Sequence, residues 1–183
     1  MSGPVTTTLC NGVGLALFRT SDPKFNDEHP WFDTQFNECT NKFGTTLFLF
    51  NESTMEPALK GFIASMVFHL DLTAAEIVTA YVLYESVLVA NNCKCATVSC
   101  VRLLMTACIS LAVKTVTDAI ITTNDIAAIV QDSGFQLDEK QLGRMEVSVL
   151  KCLDYRIICS PEVYCTYVKE LVKVDDPVLG GSM

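Results

Sequence analysis

The run VRLLMTACISLAVK, residues 101–114, constrains this chain more than any other segment. Wound as a helix it is apolar around its whole circumference from Val101 to Val113, and it stops abruptly on Lys114. A helix with no polar side must be enclosed by other elements, as the central rod of an all-helical domain. Arg102 and Lys114, with Glu85 in the other strongly apolar stretch, break the run of about 20 apolar residues that a membrane-spanning helix requires. The first residues, MSGPVTTTL, place no positive charge ahead of a long apolar region and do not read as a secretory leader. The expectation is a soluble, intracellular protein, cytoplasmic or nuclear, with no membrane partner.

At 183 residues the chain is long enough to bury a core without metal or disulfides. Lys+Arg 13 against Asp+Glu 21 gives a net charge of −8. That is the wrong sign for a nucleic-acid surface, whose affinity comes from neutralising phosphates, and no Lys/Arg cluster supplies a local basic patch. Cysteines stand at 10, 39, 93, 95, 100, 108, 152, 159 and 165, an odd number, several of them inside helical patterns. They read as reduced thiols acting as small hydrophobes rather than as a disulfide framework. Cys93, Cys95 and Cys100 are the tightest group and could bind a soft metal, but zinc usually takes C-x2-4-C pairs, often with histidine, and only His29 and His69 are present. No third group activates a Cys–His pair as a nucleophile. The sequence therefore calls for no catalytic residue, no metal and no cofactor.

Helical grammar becomes regular at residue 53. Ser53 and Glu56 have capping-box spacing ahead of an apolar face made by Leu59, Phe62, Ile63, Met66, Val67 and Leu70. Thr73 and Glu76 repeat the box before Ile77, Val78, Tyr81, Leu83, Tyr84, Val87 and Leu88, and this second helix fades at Asn91–Asn92. After Lys114, Asn124 or a preceding threonine caps a short helix through Ile126, Ile129 and Val130 that ends near Gly134. Asp138 with Gln141 opens a longer helix, in which Leu142, Met145, Val149, Cys152 and Leu153 form one face while Glu146 and Leu150 form a half-buried border. Ser160–Pro161–Glu162 starts a last helix carrying Val163, Tyr164, Tyr167, Val168, Leu171 and Val172.

Residues 1–52 read differently. Gly3, Pro4, Gly12 and Gly14 make a poor helix, so VGLALF and TTLFLF are expected as extended segments. One helix is expected between Asp27 and Gly44, where Phe32, Phe36, Cys39 and Phe43 recur at helical spacing. The expected organisation is an N-terminal extension (1–52), a helical domain (53–173) and a loose tail (174–183). The fold class is all-α, a five-helix bundle around a central apolar helix with a terminal helix added.

Three stretches in that order, LTAAEIVTAYVLYESVL, VRLLMTACISLAVK and LDEKQLGRMEVSVLKCLDYRIICSPEVY, resemble a single cyclin box of the short P or U (Pho-type) cyclins. The resemblance covers residues 55 to 173 and leaves no room for a second box. It implies a regulatory subunit of a cyclin-dependent protein kinase, with Lys114 and Glu146 contacting the kinase and Leu150 and Tyr155 set against its mobile helix. The chain departs from the family in three places. Thr115, Val116 and Thr117 intervene before Asp118, the first helix lacks the arginine–tryptophan pattern of mitotic cyclins, and Tyr84-Glu85-Ser86 replaces an aspartate–arginine pair.

Each residue also has a bland reading. Lys114 complements the partial negative charge of a helix end, Glu146 is a solvated flank, and Tyr155 is an aromatic closing the core. The other function classes are a cyclin-fold protein-interaction adaptor that activates no kinase and, less supported, a cysteine enzyme. Fold membership alone does not separate these, and only the joint placement of the four residues favours the kinase.

Overall fold

Pro4 stands in the first turn of a helix, where its missing N–H leaves no bond unmade, and the chain remains helical to Arg19 (α1). The computed structural model describes residues 4–22, 52–92, 96–118, 121–132 and 137–175. After α1 come α2 (Glu52–Leu70), α3 (Ala74–Ala90), α4 (Val98–Val116), α5 (Thr123–Asp132), α6 (Glu139–Cys152) and α7 (Pro161–Asp175). Two short strands, β1 (Ser21–Asp22) and β2 (Ala96–Thr97), pair in parallel with Ser21 opposite Ala96. The Ala96 N–H also donates to the Thr20 carbonyl at 2.8 Å, tying the end of α1 to the entry of α4. The architecture is the expected all-α bundle, with this two-residue pair as a clasp.

Four helix starts are built by the side chains that the sequence singles out. Thr73 Oγ1 accepts from the Glu76 N–H while the Thr73 N–H donates to Glu76 Oε2 at 2.6 Å, a complete capping box. Asp138 and Gln141 form the same reciprocal pair at 2.7 and 2.9 Å. Thr122, not Asn124, opens α5: its hydroxyl accepts from the Asp125 N–H, and its own hydroxyl and N–H hold the Asp125 carboxyl below the usual range. Ser160 Oγ accepts from the Val163 N–H ahead of α7. Each satisfies donors that a helix end otherwise leaves orphaned. α2 is the exception, since it begins at Glu52, so Ser53 lies inside it and Pro57 falls in its interior.

The core is wound around two rods rather than one. In α4 every residue from Leu103 to Val113 is buried, as the sequence requires, and the helix continues two residues past Lys114 to Val116. In α3 every residue from Glu76 to Tyr84 is buried too, because α1, α4 and α7 enclose it from several sides. Cys10, Cys100 and Cys108 are buried within this core, and enclosure pushes the Cys108 thiol well above its ordinary value.

The reading of VGLALF as extended is corrected. Residues 13–18 lie within α1, and Leu9, Val13 and Leu17 are at most 1% exposed. Gly12 and Gly14, which count against a helix by intrinsic propensity, are what allow this one to dock. A Cβ on Gly12 would stand 2.2 Å from the Leu171 carbonyl oxygen of α7, and one on Gly14 would stand 2.8 Å from Lys60 Cα of α2. Close approach of three backbones outweighs a glycine cost of about 1 kcal/mol per residue. The expected helix between Asp27 and Gly44, the TTLFLF segment, Cys93, Cys95 and the last eight residues lie outside the described residues.

Candidate functional site

α4 ends within two turns of Ser110, and α5 begins where the chain turns back, so the last turns of α4, the first turn of α5 and the middle of α6 converge. Lys114 projects from the last turn of α4 and meets Glu146 of α6, Nζ to Oε1 at 2.5 Å. Lys114 Nζ also donates to Thr123 Oγ1 at 2.6 Å, and the Thr123 hydroxyl lies 3.5 Å from Glu146 Oε2. Ser110, fully buried one turn before Lys114, donates its hydroxyl to Glu146 Oε1. One carboxylate on α6 thus gathers groups from two other helices.

Burial changes how these charges are read. Glu146 is 8% exposed, so it is neither the solvated flank of an amphipathic helix nor a half-buried border. It sits inside with its charge matched by a lysine and its oxygens occupied by hydroxyls, the condition under which an interior carboxylate is tolerated. The Lys114 side chain keeps 26% of its surface, so the ion pair has one dry face and one wet face. Ser110 and Thr123 are the parts that sequence reading missed. The signal for Ser110 was present, a small hydroxyl four residues before Lys114 in an otherwise apolar helix.

Leu150 lies one turn beyond Glu146 on the same side of α6, half-buried against the core. Beyond it the helix ends in a Schellman turn. The Tyr155 N–H reaches back to the Leu150 carbonyl at 2.8 Å and the Asp154 N–H to that of Lys151 at 3.2 Å. Asp154 and Tyr155 both take left-handed φ, 51° and 58°. That conformation is unusual for an aromatic residue and costs on the order of 1 kcal/mol. It holds the Tyr155 side chain out into solvent, 63% exposed, so the tyrosine does not close the core. Val147 and Ile158, 45% and 94% exposed, extend the apolar surface around this end of α6.

The structure therefore brings Lys114 and Glu146 into direct contact, sets Leu150 beside them, and displays Tyr155 at the end of the same helix. This arrangement offers hydrogen-bond donors and desolvatable apolar area. Among the described residues no group of three His, Cys, Asp or Glu side chains could hold a metal ion, and no helix is long and apolar enough to cross a membrane.

The family profile described as Cyclin, N-terminal domain, matches residues 39–158, a stretch that contains α2 to α6 and the turn beyond. No curated protein and no solved structure matches the chain. With the profile spanning most of the sequence and the helices in the order that the sequence motifs imply, the chain belongs to the cyclin family.

Proposed function

We propose that this cyclin-family protein binds a cyclin-dependent protein kinase and activates it, as a single-box cyclin of the P or U type and not as an enzyme itself. The observation that carries the reading is the Lys114–Glu146 pair, held at the junction of α4, α5 and α6 with Leu150 and Tyr155 along the same helix. Lys114 and Glu146 supply polar contacts and register, while Leu150 and Tyr155 supply apolar area to be desolvated. A cytoplasmic or nuclear location, where such kinases act, is part of the same proposal.

The mechanism is a population shift. An inactive kinase has its regulatory helix displaced and lacks the lysine–glutamate ion pair that positions ATP. A rigid partner that binds only the inward position of that helix pulls the equilibrium toward activity by its differential affinity for the two states. A 100-fold shift needs about 2.7 kcal/mol, within reach of one charge-assisted hydrogen bond and a few buried apolar groups. The rigidity comes from the fold, because Glu146 is clamped by Ser110, Lys114 and Thr123 before any partner arrives.

Purification of the tagged protein from its native cells, followed by a kinase assay of the eluate, tests the proposal. Kinase activity that depends on the protein is the expected result. Partners without any kinase would put the adaptor reading in its place.

A further inference from the structure

A second polar cluster lies on a different face, where α1, α3 and α7 meet. Glu85 of α3 accepts the Tyr81 hydroxyl on Oε1 and the Tyr167 hydroxyl of α7 on Oε2, both at 2.6 Å. The rings of Tyr81 and Tyr167 stand edge to face, with centroids 6.1 Å apart. These groups line a cavity of about 360 Å³ together with Ala16, Thr166, Glu170 and Leu171. Ala16 and Leu171 give it apolar walls, and both are among the buried core residues.

The chemistry of this cavity is one-sided. Among the described residues Glu85 has no ion pair, and no lysine, arginine or histidine lines the space. Glu170, the other acid on the lining, is matched among the described residues by Lys173 at 2.9 Å, with both side chains largely exposed. A carboxylate offers about four acceptor positions, and the two tyrosyl hydroxyls account for two at Glu85. What remains is a half-buried negative charge with unused acceptor capacity, two electron-rich rings and an apolar wall.

We propose that this cavity binds a small organic cation, an ammonium group on a short aliphatic stem. The ammonium donates to the free acceptor positions of Glu85 and lies against the tyrosine rings, while the stem replaces water along Ala16 and Leu171. A single lysine-sized side chain fits the volume, so the source is either a free alkylamine or a lysine of a bound peptide. The site is independent of the Lys114–Glu146 face, because none of its lining residues belongs to α4, α5 or α6.

Calorimetric titration of the full chain with n-butylammonium chloride, n-butanol and Nα-acetyl-lysine N-methylamide, at constant ionic strength, tests this. The amine is expected to bind about tenfold more tightly than the isosteric alcohol. Glu85→Gln, which keeps side-chain size, should abolish that preference, whereas Glu139→Gln on exposed α6 surface should not change it. Should Glu85→Gln fail to fold, Tyr167→Phe serves instead: it frees an acceptor position and should retain or tighten amine binding. Binding of the capped lysine as well assigns the site to peptide lysines, and binding of butylammonium alone assigns it to free amines. Equal affinity for amine and alcohol, or an amine preference that survives Glu85→Gln, overturns the proposal.

Discussion

Replacing Glu146 by alanine separates a buried ionic clamp from an ordinary surface pair. The substitution removes the acceptor of the Ser110 hydroxyl, which is fully buried, and the counter-charge of Lys114. An orphaned buried hydroxyl costs about 1–3 kcal/mol, and breaking a buried ion pair about 3–5 kcal/mol. Two features lower the sum. Lys114 retains its 2.6 Å bond to Thr123 and a quarter of its surface in water, and a serine in a helix can turn its hydroxyl to the carbonyl four residues back. The net expectation is a loss of about 3 kcal/mol, which for a domain of this size lowers the melting temperature by about 6–12 °C. Lys114→Met should cost at least as much, since it strands a carboxylate whose side chain is only 10% exposed. Urea denaturation followed by circular dichroism gives both values. A loss below about 1 kcal/mol for Glu146→Ala is what an exposed pair would show, and would refute the reasoning. Reversing the charge of a solvated flank would spare folding, whereas Glu146 is buried, so Glu146→Lys should destabilise as well.

Gly12→Ala should destabilise by at least about 1–3 kcal/mol, the range for overpacking, because its Cβ would meet the Leu171 carbonyl; Gly143→Ala, with nothing within 4 Å, should stabilise by about 1 kcal/mol. Equal effects in thermal melts would show that α1 is not docked through its glycines. Deleting α1 removes Leu9, Val13 and Leu17 from the core and should abolish the cooperative melt, at about 1.5–3 kcal/mol for each buried side chain. A cooperative melt of the shortened chain would make α1 dispensable. Burial pushes the Cys108 thiol and the Tyr81 phenol above their ordinary 9.0 and 10.0. Their contribution to stability is therefore complete below those values and is lost as pH rises past them, since the unfolded chain ionises first. The melting temperature should fall above pH 9.0, and an unchanged value at about pH 11 would contradict this burial.

The sequence carried most of α2 to α7 because their signals are local. The Thr73/Glu76 and Asp138/Gln141 boxes and the Ser160–Pro161 start need only neighbours three residues apart, and the structure builds all three. The full burial of α3 was less visible, since Glu76, Thr79 and Tyr84 look amphipathic until helices from both ends of the chain cover them. α1 was misread for a related reason: Gly12 and Gly14 act through contacts with Leu171 and Lys60, far away in sequence. At the candidate site, Lys114, Glu146, Leu150 and Tyr155 were named from resemblance and helical spacing. The three-helix clamp through Ser110 and Thr123 depends on how α4, α5 and α6 pack, which spacing within one helix does not encode.

The kinase proposal is tested most directly at Tyr155, where folding and binding come apart. Its side chain is largely exposed and its backbone is held at a left-handed φ of 58°, which glycine adopts without strain. Tyr155→Gly should leave the melting temperature unchanged or raised, the relieved strain offsetting the greater freedom of glycine in the unfolded chain. The same variant, purified from native cells beside the wild type, should recover about tenfold less kinase activity or lower still, through loss of a central apolar anchor worth about 2 kcal/mol. A Tyr155→Gly protein that melts like wild type and recovers wild-type kinase activity would contradict the assignment of this face.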